Sequence, residues 1–380
     1  MKVVHILSGL YQGGAESQLE KMISFSKSKD VEHIVISLKS NETPLMKRFR
    51  EDGINVYCLG FSGFNVFFGF LKLINLLKYF DSPNTVIQCW MYHANLFGSM
   101  ASVFSGVSGK IVWNIRRTEL PTGVTGILSK LSAKWSYIQD VRIVCCAEAA
   151  KISHIDAGYN ERNMKVFHNG IDVDLFIPSN SRKYAFRKNI KVNNDDFLIG
   201  MVGRYSPIKG HLYLLDAFLK LKVNNPDAAE SVKLVLIGRD VDSAIELQPF
   251  FTNPLLERSL IVIPEQVDIW SAMSSFDLLC LPSRSEGFPN VVAEAMSSGV
   301  PVYATDVGDA AYILGNRSMI IPRENNVAVA DKLFDFISLP DAVRLALGIA
   351  ARERIIEHFS VEKSWDRYLN LYNQIIEKQN

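Results

Sequence analysis

Residues Leu281–Val302 read LPSRSEGFPNVVAEAMSSGVPV. An apolar run, DLLCL, ends at Leu281 and reads as a strand. A polar loop follows, and a helix begins near Pro289–Asn290, where the fixed φ of proline suits a first helical turn. The N–H groups at that end, together with the helix dipole, attract phosphate or a developing anion. Gly287 lacks a Cβ, so the backbone there can approach a ligand closely. Glu286 stands in the loop and Glu294 about one turn into the helix, which lets both carboxylates face one cleft. Carboxylates accept hydrogen bonds from sugar hydroxyls. Two of them beside an anion-binding helix end suit a sugar joined to a phosphate. Two merely solvated glutamates are the competing reading, and the strand–loop–helix context weighs against it.

Outward from this segment, short β-branched runs alternate with helix-period stretches along most of the chain. Strands are predicted at Val3–Leu7, His33–Ser37, Ile54–Cys58, Thr85–Cys89, Lys110–Ile115, Arg142–Cys145 and Lys165–Phe167. After a pause they resume at Phe197–Gly203, Lys233–Ile237, Leu260–Ile263, Leu278–Leu281 and Val302–Ala304. Strand–helix alternation implies α/β architecture with parallel sheets covered on both faces. The expected division is a Rossmann-like domain over 1–176, a polar linker with a short helix over 177–196, a second Rossmann-like domain over 197–360 and a terminal helix over 361–380. That helix carries Trp365, Tyr368, Leu369, Tyr372 and Ile376 on one apolar face and is expected to cross back to the first domain. Ligands of open α/β sheets bind beyond the carboxyl ends of the strands. The expected site is a cleft where the two sheets face each other.

The 380 residues carry a formal net charge of +1, and 48% of them are hydrophobic. This is a folded-protein composition without the basic excess of a nucleic-acid reader. Cys58, Cys89, Cys145, Cys146 and Cys280 sit mostly in strand-like runs with no metal-ligand spacing. They read as buried, reduced thiols of a cytoplasmic protein. Lys2 is followed at once by VVHIL and then Gly9, a first strand rather than a secretory signal. No stretch is long and uncharged enough to span a bilayer.

Several further motifs agree with the opening segment. They are GGAE at Gly13–Glu16, NGID at Asn169–Asp172 with Phe176 and Pro178 beyond it, VGRYSPIKG at Val202–Gly210, and LVLIGRD at Leu234–Asp240. With the E-x7-E pair Glu286–Glu294 and the following VPVYATDVGD, the set resembles the retaining GT-B glycosyltransferases of family 4, in order and across nearly the whole chain. The resemblance implies transfer of a sugar from a nucleoside diphosphate. Glu286 would contact the donor sugar, Glu294 the ribose, and Gly287, Phe288, Pro289 and Asn290 would offer backbone groups to diphosphate and sugar. Arg204 and Lys209 would offset the charge of the leaving diphosphate, which is how the family usually works without a metal. No metal and no other cofactor is expected. Gly238, Arg239, Gln266 and Val267 would border the nucleotide, and Gly13 and Gly14 would approach the diphosphate from the first domain.

Glu16 has two readings, an acceptor ligand or a charge on the first helical turn. His93, in QCWMYHAN, matches a histidine of related enzymes and has a structural alternative. Where many members place another histidine, this chain has Asn114-Ile115-Arg116-Arg117, so Arg116 stands as a candidate acceptor-binding group. The catalytic set is thus Arg204, Lys209, Glu286 and His93. The overall pattern most resembles bacterial enzymes of surface-polysaccharide assembly, which implies a nucleotide-sugar donor, UDP by family frequency with GDP as the alternative, and a saccharide or lipid-diphosphate-linked saccharide as acceptor. The segments Phe61–Phe80 and Arg116–Tyr137 mix apolar and basic residues. They read either as core helices or as a surface for an anionic inner membrane, on its cytoplasmic face. A nucleotide-sugar epimerase of the same architecture and a non-catalytic sugar-nucleotide-binding subunit are the rival functions.

Overall fold

The computed structural model describes residues 1–378 apart from 12, 28, 40, 41, 266 and 267, and of residue 108 the backbone alone. The chain forms two compact units, Met1–Gly170 with Val361–Asn380, and Ile171–Ser360.

Unit 1 holds seven parallel strands: β1 Lys2–Leu7, β2 Glu32–Ser37, β3 Asn55–Cys58, β4 Thr85–Trp90, β5 Ile111–Ile115, β6 Arg142–Cys145 and β7 Met164–Val166. Their order is β3-β2-β1-β4-β5-β6-β7. β1 pairs with both β2 and β4, so Leu7 lies beside Ser37 on one side and Trp90 on the other. The central strands are Val- and Ile-rich because both faces are covered. On one face the core joins Leu7, Leu19, Met22, Trp90 and Phe167 to Trp365, Tyr368 and Tyr372 of the terminal helix Val361–Glu377. Those three aromatic residues are fully buried. Tyr368 donates to Asn114 Oδ1 at 2.6 Å and Tyr372 donates to Gln88. The helix is therefore both an apolar lid and a set of hydrogen-bond pins on unit 1.

The same core contains a chain of buried hydrogen bonds. Trp90 Nε1 lies 3.4 Å from His5 Nδ1, His5 Nε2 lies 2.9 Å from His33 Nδ1, and His33 Nε2 lies 2.7 Å from Ser26 Oγ. Ser26 donates to Met22 O at 2.6 Å. An indole is a donor only, and Ser26 has committed its proton. The direction of every bond follows: Trp90 to His5 to His33 to Ser26 to carbonyl, with both imidazoles neutral. Burial holds both rings below the ordinary histidine value, His33 at about 4.

Unit 2 holds six parallel strands: β8 Phe197–Val202, β9 Val232–Ile237, β10 Leu260–Ile263, β11 Leu278–Leu281, β12 Val302–Thr305 and β13 Ile320–Ile321. Their order is β10-β9-β8-β11-β12-β13. In a doubly wound sheet of this order the chain reverses its direction of travel between β8 and β11, and the crevice opens beyond their carboxyl ends. Gly200 lies beside Leu279 in register, which brings the loops after Val202 and Leu281 together.

The polar stretch 177–196 falls within unit 2, and its short helix is Asn180–Asn189, capped by Ser179. Its polarity serves the fully buried Arg187, whose guanidinium donates to Ser275 O, Asn194 O and Asp196 O and pairs with Asp277 at 2.7 Å. Four of the cysteines are buried, Cys58 is half-buried, and all five are free thiols. Among the described residues no helix is long and apolar enough to cross a membrane.

Candidate functional site

The unit 2 site is built by three loops that touch through glycine. Gly210 has φ 79°, and a Cβ there would lie 2.1 Å from Pro282 O, so the β8 loop meets the β11 loop backbone to backbone. A Cβ on Gly238 would lie 2.0 Å from Gly203 O, and Tyr205 N donates to Arg239 O at 2.8 Å. These contacts require glycine because no side chain fits between the strand ends. From beneath, Asp309 N donates to Gly287 O at 2.9 Å, and Arg284 N donates to Ile208 O at 2.7 Å.

This framework joins the two motifs that were read separately. Lys209 Nζ lies 2.8 Å from Glu286 Oε1, with only 24% and 10% of the two side chains exposed. Ser283 Oγ donates to the same Glu286 oxygen at 2.7 Å. Both contacts fall on Oε1, which leaves the lone pairs of Oε2 available to accept hydrogen bonds. The ammonium and the carboxylate largely cancel each other. The exposed guanidinium of Arg204 makes no ion pair or hydrogen bond among the described residues, so it supplies the net positive charge of the crevice. Burial pushes the neighbouring His211 down to about 4, and it adds no charge near neutral pH.

The helix Asn290–Ser297 starts beside this pair. Pro289 at the N-cap offers no side-chain oxygen to its first N–H groups. Phe288 is buried and stacks toward Phe359, with ring centroids 5.8 Å apart, so its side chain anchors the loop and its backbone lines it. Glu294, half-buried, lies four residues after Asn290 and so on the same helix face. Arg239 is exposed beside Asp240. Gln266 and Val267 lie outside the described residues.

The unit 1 residues gather at the carboxyl ends of β1, β4 and β5. Gly13 caps the helix Gly14–Ser26 in an extended conformation, and a Cβ on it would meet the Glu16 carboxylate at 2.6 Å. Glu16 therefore folds back over the first turn. Burial raises its carboxyl, partly offset by its own backbone N–H. Of its two readings, the first-turn charge is the one this geometry matches. Met91 carries the chain from β4 straight into the helix Met91–Ser105 at φ 67°, a strained value for a non-glycine residue. That turn sets His93 half-buried at the helix start. Burial and the charge of Lys39 both lower its pKa, so it is a neutral imidazole. The Arg116 guanidinium donates to Asn169 and to Tyr368 OH at 3.2 Å and lies 5.8 Å from the Trp90 ring. It ties the NGID segment and the terminal helix to β5.

Sequence reasoning missed Ser283, Lys39 and Tyr11. Ser283 steers Glu286 from three residues before it, and the serine-rich loop gave no way to single it out. Lys39 sits 5.7 Å above the Tyr11 ring at the mouth of β1 and β2, a pairing visible only once the two strands lie side by side.

Two Rossmann-like parallel sheets, of seven and six strands, are the GT-B fold. Residues 183–354 match the family described as glycosyl transferases group 1, so the chain carries a glycosyltransferase domain of that group. It is similar to the capsular polysaccharide biosynthesis glycosyltransferase CapM of Staphylococcus aureus, 26% identical over 321 residues and 81% of each chain. It is also 25% identical over 261 residues, 65% of each chain, to the Escherichia coli UDP-Gal:alpha-D-GlcNAc-diphosphoundecaprenol alpha-1,3-galactosyltransferase. In fold it matches Anabaena Alr3699/HepE, solved in complex with UDP, at a TM-score of 0.84 and 20% identity, over 98% of this chain and all of that one. The chain is thus similar, in its matched domain and over most of its length, to glycosyltransferases of capsular and exopolysaccharide synthesis.

Proposed function

We propose that the chain transfers a sugar, with retention at the anomeric carbon and without a metal ion, from a UDP-sugar to a lipid-diphosphate-linked saccharide during assembly of a bacterial surface polysaccharide. The observation that carries the donor half is the Lys209–Glu286 pair beside an uncommitted Arg204 at the switch point of unit 2. Similarity to an enzyme whose name gives a UDP-sugar donor and a diphosphoundecaprenol acceptor supports the substrate classes.

In this scheme the acceptor hydroxyl oxygen bonds to the anomeric carbon as the bond from that carbon to the diphosphate oxygen breaks. The bonding electrons go to the diphosphate, and the acceptor proton passes to the oxygen that leaves. Arg204, Lys209 and the N–H groups near Asn290 stabilise the growing charge. Removing one such donor typically costs on the order of 2.7–4 kcal/mol of transition-state stabilisation. Glu286 Oε2 positions the sugar, Glu294 the ribose, and Gly238 and Arg239 border the nucleotide. Within unit 1 the candidate residues are Gly13, Gly14 and the neutral His93. Arg116 serves the acceptor side chiefly by positioning, since its guanidinium is engaged within the unit.

The test is transfer from UDP-sugars to a synthetic lipid-diphosphate saccharide in the presence of EDTA, with the new linkage read by NMR. An α-linked product from an α-linked donor, unaffected by EDTA, is expected. A β-linked product would reject retention, and activity restored only by added divalent cation would reject metal independence.

A further inference from the structure

We propose that the outer face of three adjacent helices in unit 1, Asn65–Phe80, Met91–Ser105 and Gly123–Trp135, docks onto an anionic lipid bilayer. The first of these helices packs on the second and the second on the third, forming one layer. Their inward positions, such as Leu73, Leu77 and Ala133, are buried. Their outward positions are not polar, as a solvent-facing layer requires. Phe64, Phe67, Phe68, Phe104, Val124 and Ile127 are between 61% and 99% exposed. Phe70 braces this surface from below, its ring edge-on to Phe104 at 6.1 Å and tilted toward Phe97 at 6.3 Å. Soluble proteins seldom leave so large an apolar patch uncovered unless it meets a partner.

Charge selects the partner. The three helices contain Lys72, Lys78, Lys130 and Lys134 and no Asp or Glu. Between Gly53 and Gln139 the acidic residues are Asp81, paired with Lys110 at 2.7 Å, and Glu119, 3.9 Å from Arg117. No uncompensated carboxylate is therefore left to repel a phosphate headgroup. Exposed aromatic rings flanked by lysines, whose stems lie along apolar surface while the ammonium reaches a headgroup, are the composition of an interfacial surface. A second copy of this chain fits less well, because a two-fold contact would set the same lysines against one another. The role of this face rests on the lipid-linked acceptor proposed above, since a protein held on the bilayer meets such an acceptor by diffusion in two dimensions. The observations themselves do not depend on that acceptor.

The test is flotation of the whole protein, without nucleotide or acceptor, with vesicles of phosphatidylglycerol and phosphatidylethanolamine or of phosphatidylcholine alone. Binding to the anionic vesicles and little to the neutral ones is expected. The triple variant Phe67→Ser, Phe68→Ser, Phe104→Ser should bind at least about tenfold more weakly. Lys130→Glu with Lys134→Glu should lose about 25-fold or more, since each lysine near an anionic surface contributes about fivefold. Both variants should unfold at the wild-type temperature. UDP binding by the same proteins is read separately by calorimetry, so failure to float with UDP binding intact would sink the membrane face alone. Equal flotation of variants and wild type would also overturn it. So would a wild-type dimer that the Phe variant turns into a monomer, which would assign the face to a second copy.

Discussion

Lowering the pH from 7 to 5 should destabilise unit 1 through the buried His5–His33 chain. Each imidazole there already uses one nitrogen to donate and one to accept. A proton added to His33 Nδ1 would face the N–H of His5, and shifting the His5 proton to its other nitrogen would face the N–H of Trp90. Protonation therefore breaks at least one bond in a site closed to water. Burial depresses both values, with His33 held at about 4 against an ordinary 6.5, and the hydrogen-bond geometry opposes protonation in the same direction. The folded value is the lower one, so the unfolded chain binds more protons between those limits. The stabilisation is complete above about pH 6.5 and is lost as pH falls toward 4. For His33 alone the linkage gives about 2 kcal/mol lost between pH 7 and 5, and His5 adds in the same direction.

The assay is urea unfolding followed by tryptophan fluorescence. Trp90, Trp113, Trp135 and Trp365 lie in unit 1 and only Trp270 in unit 2, so the signal reports mainly on the unit in question. The variant His33→Asn should be less stable than wild type at pH 7 and should lose about 2 kcal/mol less between pH 7 and 5. If the variant weakens with acid as much as wild type does, the histidine chain is not the cause and the reasoning fails.

Lys209→Ala leaves the mostly buried Glu286 carboxylate with Ser283 alone. It should cost about 1–3 kcal/mol of unit 2 stability and on the order of 100-fold or more in turnover. Adding Glu286→Gln should return much of the stability but none of the turnover, as urea titration and single-turnover kinetics would read. Arg187→Ala should destabilise unit 2 by about 1–3 kcal/mol, because it leaves the buried carbonyls of Ser275, Asn194 and Asp196 without their donor while Asp277 keeps Lys183 and the Leu198 N–H; no measurable loss by calorimetry would contradict the buried network. Gly210→Ala forces a Cβ into Pro282 O and a residue into a positive φ. It should cut donor affinity by displacing the β8 and β11 loops, which UDP titration would detect.

Most strands were readable because a parallel sheet buries both faces and so writes itself as runs of Val, Ile and Leu. β13 was not, since two residues, Ile320–Ile321, carry no pattern. The 177–196 stretch showed its short helix but not its place in unit 2, because a buried arginine and the carbonyls it serves have the same composition as a solvated linker. In the candidate site, the strand–loop–helix context and the family resemblance together singled out Arg204, Lys209, Glu286 and Glu294. The pairing of Lys209 with Glu286 lies 77 residues apart and depends on two strands becoming neighbours. The helix Asn65–Phe80 is apolar on nearly every side, so its 3.6-residue period could not say which phenylalanines face out. Packing against Met91–Ser105 decides that.

In the proposed function unit 2 holds a nucleoside diphosphate against Arg204 and Lys209. The decisive experiment is isothermal titration of the metal-free protein with UDP and with GDP, on wild type and Arg204→Ala. UDP should bind wild type without added cation, and Arg204→Ala should weaken binding about tenfold or more, the loss of one charge-assisted contact. Binding of neither nucleotide, or UDP binding untouched by Arg204→Ala, would contradict the placement of the donor site.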